Sequence, residues 1–81
     1  MSSLEVGRLT RLVNVIRDAK NIDVFDLRRR SGGMSIGIYN TLKPVLESHP
    51  NWIWQVRYSK ENKSWKYIGD EIREGDNQKH E

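Results

Sequence analysis

The sequence contains no cysteine, so neither a disulfide framework nor a thiolate metal centre is available to reinforce it. Histidine is scarce as well. His49 and His80 stand apart from any acidic cluster, and His49 beside Pro50 reads as a helix end, which argues against a metal site. No apolar run approaches the roughly 20 residues of a membrane span, and the opening MSSLEVGRLT lacks the basic-then-apolar order of a signal peptide. Neither G-x-G-x-x-G nor G-x-x-x-x-G-K-[ST] occurs. The glycines of SGGMSIG therefore read as a tight turn between helices, not as a phosphate loop. No Ser, His and Asp arrangement is credible in so short a chain. These gaps predict an intracellular protein that is not an enzyme, holds no cofactor or metal, takes no small-molecule substrate and has no membrane contact.

What is present fits one small domain. The chain has 81 residues, and domains of this size bury only about 60 % of the surface their unfolded chains expose. Net stability on the usual per-residue scale is roughly 4 to 12 kcal/mol. The formal charge of +3 is unevenly laid out. Residues 1–69 carry twelve Lys or Arg against six Asp or Glu, a balance of +6, whereas residues 70–81 carry two against five, a balance of −3. A basic body with a short acidic segment suggests a polyanionic partner.

Apolar residues at Leu9, Leu12, Val13, Ile16 and Ala19 repeat at helical spacing, and Ser2 with Glu5 fits a capping box. The spacing predicts a first helix from about Leu4 to Lys20 with Arg8, Arg11, Asn14, Arg17 and Asp18 on its outer side. Asn21 suits a left-handed cap, Ile22 a short strand, and Asp23 the N-cap of a second helix carrying Val24, Phe25 and Leu27. That helix stops at Ser31-Gly32-Gly33. Ser35 caps a third, which continues through Ile38, Leu42, Val45 and Leu46 toward His49. Pro44 breaks a local rule there, since an interior proline costs about 3 kcal/mol; the helix either kinks or restarts at that point.

From Trp52 to Gly69 apolar and polar residues alternate with period two, which predicts a hairpin turning about the polar centre KENK. In that register Tyr58 faces Trp65 and Val56 faces Tyr67, while Arg57 faces Lys66 and Lys60 faces Lys63. Like charges directly across a strand pair are destabilising. A phosphate oxygen between them reverses the sign of the interaction, and that is the functional reading of four aligned cations. Lysine as a guard against edge-to-edge aggregation is the structural alternative. Residues 70–81 hold one apolar side chain, Ile72, and are expected to form an acidic, disordered tail.

The order of helix, short extended residue, capped helix, glycine turn, capped helix and basic hairpin resembles the winged-helix form of the helix-turn-helix over residues 4–69. The stretches RLTRLVNVIRDAK and VLESHPNWIW, with an aromatic such as Tyr67 ending the wing, are also similar to winged-helix domains of the beta subunit of general transcription initiation factor E. The expected fold class is therefore α+β: a winged helix-turn-helix domain at 1–69 with three helices and a two-stranded antiparallel wing, followed by the 70–81 tail. The resemblance implies a third helix in the major groove of double-stranded DNA and a wing on the flanking backbone.

On that view Ser35, Gly37, Tyr39, Asn40 and Lys43, with Thr41, face the groove. Asn pairs bidentately with adenine, and Ser and Thr serve several base edges. Arg57, Lys60, Lys63 and Lys66 grip phosphates from the wing. Arg28, Arg29 and Arg30 complement the dipole of the second helix, and the resemblance implies that Arg30 reaches a phosphate near the turn. The expected role is transcriptional regulation or an accessory function. The alternative is a protein-interaction module of a transcription or replication assembly that uses the hairpin bearing Trp52, Trp54 and Trp65. Ile53 and Ile68 hint at a further contact at the hairpin base, and a homodimer or protein partner is left open.

Overall fold

In the computed structural model, residues 3–48 and 54–69 are described. Helix α1 spans Ser3–Ala19 and buries Leu9, Leu12 and Ile16, with Val13, Val15 and Ala19 half-buried beside them. These positions recur every three or four residues and so form one stripe. Lys20, and not Asn21, takes the left-handed cap conformation at φ +70°, and its N–H donates to the Ile16 carbonyl at 2.8 Å. Asn21 is needed elsewhere, because it opens a strand whose register sets it opposite Lys66.

The strands are β1 (Asn21–Asp23), β2 (Val56–Ser59) and β3 (Ser64–Tyr67), antiparallel in the order β1-β3-β2. The sheet thus has three strands and not the two expected. Ile22 is the reason: opposite Trp65 in register, it buries its side chain only by joining β3. Backbone bonds extend the pairing at both ends, from Tyr67 N–H to Lys20 O at 2.9 Å and from Val24 N–H to Lys63 O at 3.0 Å. Within the hairpin the observed pairs are Val56 with Tyr67, Arg57 with Lys66, and Tyr58 with Trp65, as the alternation predicts. Ile22, Val56 and Trp65 are buried on one face, while Asn21, Arg57 and Lys66 are exposed on the other. Such alternation is the mark of a sheet covered on one side.

Helix α2 (Val24–Arg30) starts as its sequence dictates, with the Asp23 carboxylate accepting from Asp26 N–H at 2.8 Å. It buries Leu27, whereas Phe25, grouped with the apolar residues of this helix, is 69 % exposed. Gly32 and Gly33 then turn the chain with φ +86° and +69°. Helix α3 (Ile36–Ser48) runs through Pro44 without restarting. Pro44 has no N–H to donate to the Asn40 carbonyl, and Asn40 is exposed, where solvent access softens the penalty.

Helices and sheet share one core around Trp65, which is 1 % exposed and whose Nε1 donates to the Tyr39 hydroxyl at 2.9 Å. Ile68 is buried too, so it is not a free contact at the hairpin base. The architecture is α+β, three helices with a small three-stranded antiparallel sheet. Among the described residues no helix is long and apolar enough to cross a membrane. The Ser2 cap, the helix end at His49 and Pro50, Trp52, Ile53 and the 70–81 tail lie outside the described residues.

Candidate nucleic-acid interface

The four-residue loop Lys60–Lys63 joins β2 to β3, and both of its lysines are exposed. Neither enters an ion pair among the described residues. Lys63 sits at φ +50°, a left-handed position where a side chain costs on the order of 1 kcal/mol and glycine is the easy choice. The loop accepts this because Ser59 Oγ receives the Asn62 N–H at 3.3 Å and the Lys63 carbonyl holds Val24. Below the loop, Asn21, Lys66 and Arg57 form one row across the outer face of the sheet, and Asp23, Ser64 and Ser59 form the next. Asp23, in the adjacent row, caps α2.

The third helix presents a narrower surface than the sequence suggests. Tyr39 is 2 % exposed and receives the Trp65 hydrogen bond, so it belongs to the core and cannot face a groove. Burial pushes its phenol above the ordinary value, against the lowering effect of that hydrogen bond. The stripe was misjudged because α3 packs against the sheet as well as against α1, and sealing both sides takes a wide apolar arc.

Lys43 is also largely committed. It pairs with Glu47 at 3.0 Å, and its ammonium lies 4.4 Å from the Tyr58 ring centroid, fastening α3 to the hairpin. Ser35 Oγ accepts from Ile38 N–H at 3.2 Å as the N-cap, and Thr41 Oγ donates to the Gly37 carbonyl at 3.0 Å. That leaves Asn40, exposed and with its amide unspent among the described residues, beside Gly37, which has no side chain to hold a ligand away.

The three arginines of α2 divide cleanly. Arg28 Nε donates to the Met34 carbonyl at 3.1 Å and braces the turn, and Arg29 pairs with Asp26 at 3.1 Å. Arg30 is exposed and has no partner among the described residues.

Two cations were absent from the sequence-derived site. Arg8 and Arg11 of α1 reach the α2–α3 turn, where Arg11 Nη1 lies 2.9 Å from where a Cβ on Gly32 would stand. The i, i+3 spacing showed that both lie on one side of α1, but nothing in the sequence says which neighbour that side meets. The hairpin tryptophans are correspondingly less available: Trp65 is core and Trp54 is half-buried against it.

No protein-family model, curated protein or solved structure matches this chain.

Proposed function

We propose that the chain is a winged helix-turn-helix module that binds double-stranded DNA chiefly through the phosphate backbone, in a regulatory or accessory role in transcription. The observation that carries this reading is the wing loop, where Lys60 and Lys63 are exposed without an ion pair among the described residues, above the facing pair Arg57 and Lys66. Lysine at the left-handed position 63 adds support, because a loop selected for stability alone favours glycine there. Three helices with a sheet ordered β1-β3-β2 are compatible with the winged-helix fold. In this arrangement Arg30 and the wing cations hold phosphates, α3 enters the major groove, and Asn40 with Gly37 meets base edges. With most other polar groups of α3 already bonded within the chain, sequence discrimination is modest.

Titration of duplex DNA across salt concentrations tests the reading. Five cations on phosphate give a slope of log affinity against log salt of about −4 to −5. Lys60→Ala with Lys63→Ala weakens all duplexes alike and removes about 2 from that slope, whereas Asn40→Ala changes the preference among sequences. Binding that ignores salt, or that is indifferent to the lysine pair, overturns the proposal.

A further inference from the structure

Between the first half of α1 and the α2–α3 turn lies a groove of about 540 Å³, within the range of roughly 300 to 1,000 Å³ usual for small-molecule sites. One wall is cationic. Arg8 and Arg11 stand one turn apart on α1, and neither has a hydrogen-bond or ion-pair partner among the described residues. The turn opposite makes room for them: Arg11 Nη1 lies 2.9 Å from where a Cβ on Gly32 would stand, so glycine there lets the guanidinium rest against the backbone. Arg8 is half-buried, and a guanidinium partly withdrawn from water without an anion loses solvation and gains nothing in return. Among the described residues no carboxylate lines the groove.

Neutral donors gather at the same place. Ser31 is also in the wall, 4 % exposed, and its Oγ has no hydrogen-bond partner among the described residues. A buried hydroxyl left unpaired in a native fold calls for a reason, and an acceptor supplied from outside the chain is one. Ser35, the cap of the 13-residue helix α3, lines the groove too. Its side chain and carbonyl take the N–H groups of Ile38 and Tyr39, which leaves those of Ile36 and Gly37 without a partner among the described residues. The positive end of the helix dipole thus stands at the groove's edge. Leu4, Met34 and Ile38 supply an apolar surface beside these donors.

We propose that this groove binds a small organic phosphate monoester, with the phosphate held by Arg8, Arg11 and Ser31 and an apolar body against Leu4, Met34 and Ile38. Ser31 Oγ is covered in the wall and joins by rotating about χ1 to another staggered well. Phosphate is favoured over carboxylate by the number of donors. Two guanidinium forks, a hydroxyl and two helix N–H groups exceed the roughly four lone-pair sites of a carboxylate, whereas the terminal oxygens of a phosphate employ them. A duplex fits less well, because its backbone brings no apolar body to the facing wall. No hairpin residue lines the groove, so the inference does not rest on the duplex-binding reading.

Amide NMR of the full chain at constant ionic strength tests it, with phenyl phosphate as the probe and inorganic phosphate and benzoate as comparisons. Phenyl phosphate is expected to shift the amides of Gly7, Gly32, Gly33, Ile36 and Gly37 saturably at millimolar concentration or below. Inorganic phosphate lacks the ring and benzoate lacks the third oxygen, so each binds at least about tenfold more weakly. Arg8→Gln with Arg11→Gln abolishes saturation, and Ser31→Ala weakens phenyl phosphate about tenfold. Unchanged amide shifts in the core show that each variant is folded.

Benzoate that binds as tightly as phenyl phosphate assigns the groove to carboxylates and overturns the proposal. So does inorganic phosphate of equal affinity, which leaves the apolar wall without a part. Shifts confined to the Lys60–Lys63 loop, or binding indifferent to either variant, overturn it as well. A last contrary result comes from DNA: a fall of about 2 in the duplex salt slope on replacing Arg8 and Arg11 assigns the pair to the nucleic-acid backbone. The two readings fail separately. Phenyl phosphate that does not bind leaves the effect of the wing lysines on the salt slope untouched, and a duplex that ignores salt leaves the groove titration untouched.

Discussion

Tyr39 and Ser31 each bury a hydroxyl, and the surroundings of the two groups set opposite expectations for their removal. The Tyr39 oxygen takes the Trp65 indole N–H, so Tyr39→Phe strands a donor that water cannot reach and lowers stability by about 1 to 3 kcal/mol. Its pH dependence follows from the same burial. The folded phenol titrates above the ordinary value of 10.0, so the neutral ring stabilises the fold in full below that pH. Stability then falls as pH rises from there toward the folded value, because the unfolded chain ionises first. Denaturant melts between pH 9 and pH 11 check this, and Tyr39→Phe flattens the decline.

Ser31 Oγ has no hydrogen-bond partner among the described residues, although the side chain is buried. Ser31→Ala removes an unsatisfied group and raises stability by about 1 kcal/mol, measurable as a shift in denaturant midpoint at constant slope. Neither effect was readable in advance. A period of three or four residues gives the direction in which Tyr39 leans, whereas the depth of its burial depends on a tryptophan 26 positions away.

Among the elements, the caps and the hairpin were the legible parts. Asp23 and Ser35 announced α2 and α3 because a short acceptor before an apolar run has one cheap use, and each is seen making that bond. The hairpin register followed from alternation around a polar centre, since a slip of one residue turns Trp65 outward. Strand β1 was less legible, because three residues with one apolar centre carry no period, and it is recognisable as a strand only once β3 is beside it. The interface residues divide in the same way. The register and exposure of the hairpin cations followed from alternation, whereas Lys43 is tied to Glu47 and Tyr58, neighbours of which only the first lies on its own helix. The wing also yields an element-scale prediction. Lys63→Gly relieves the left-handed backbone and raises stability by about 1 kcal/mol, while under the duplex-binding proposal the loss of one phosphate contact makes the DNA salt slope shallower by about 1. A change of the same sign in thermal stability and DNA affinity contradicts the role assigned to this residue.

At the scale of the whole molecule, helices and sheet close on a common interior and cannot be dismantled separately. Ile22 lies on the shortest strand yet joins the cluster that holds Leu9, Leu27 and Trp65. Ile22→Ala is expected to cost about 2 to 5 kcal/mol, as for other buried isoleucines. That is a large share of the margin available to so small a domain. Far-ultraviolet circular dichroism and tryptophan fluorescence should therefore lose signal in one shared transition, displaced to lower temperature together in the variant. Separate midpoints for the two probes indicate that the sheet melts apart from the helices.

The contacts that fasten α3 to the hairpin, Trp65 to Tyr39 and Lys43 over Tyr58, have a mechanical consequence. They fix the span between the helix's outer face and the loop before any ligand arrives, as the jaws of a caliper are set before a measurement. Under the duplex-binding proposal, such a tool gauges the width of a groove as well as its charge. The wide major groove of B-form DNA admits it, and the deep, narrow one of an A-form RNA helix does not.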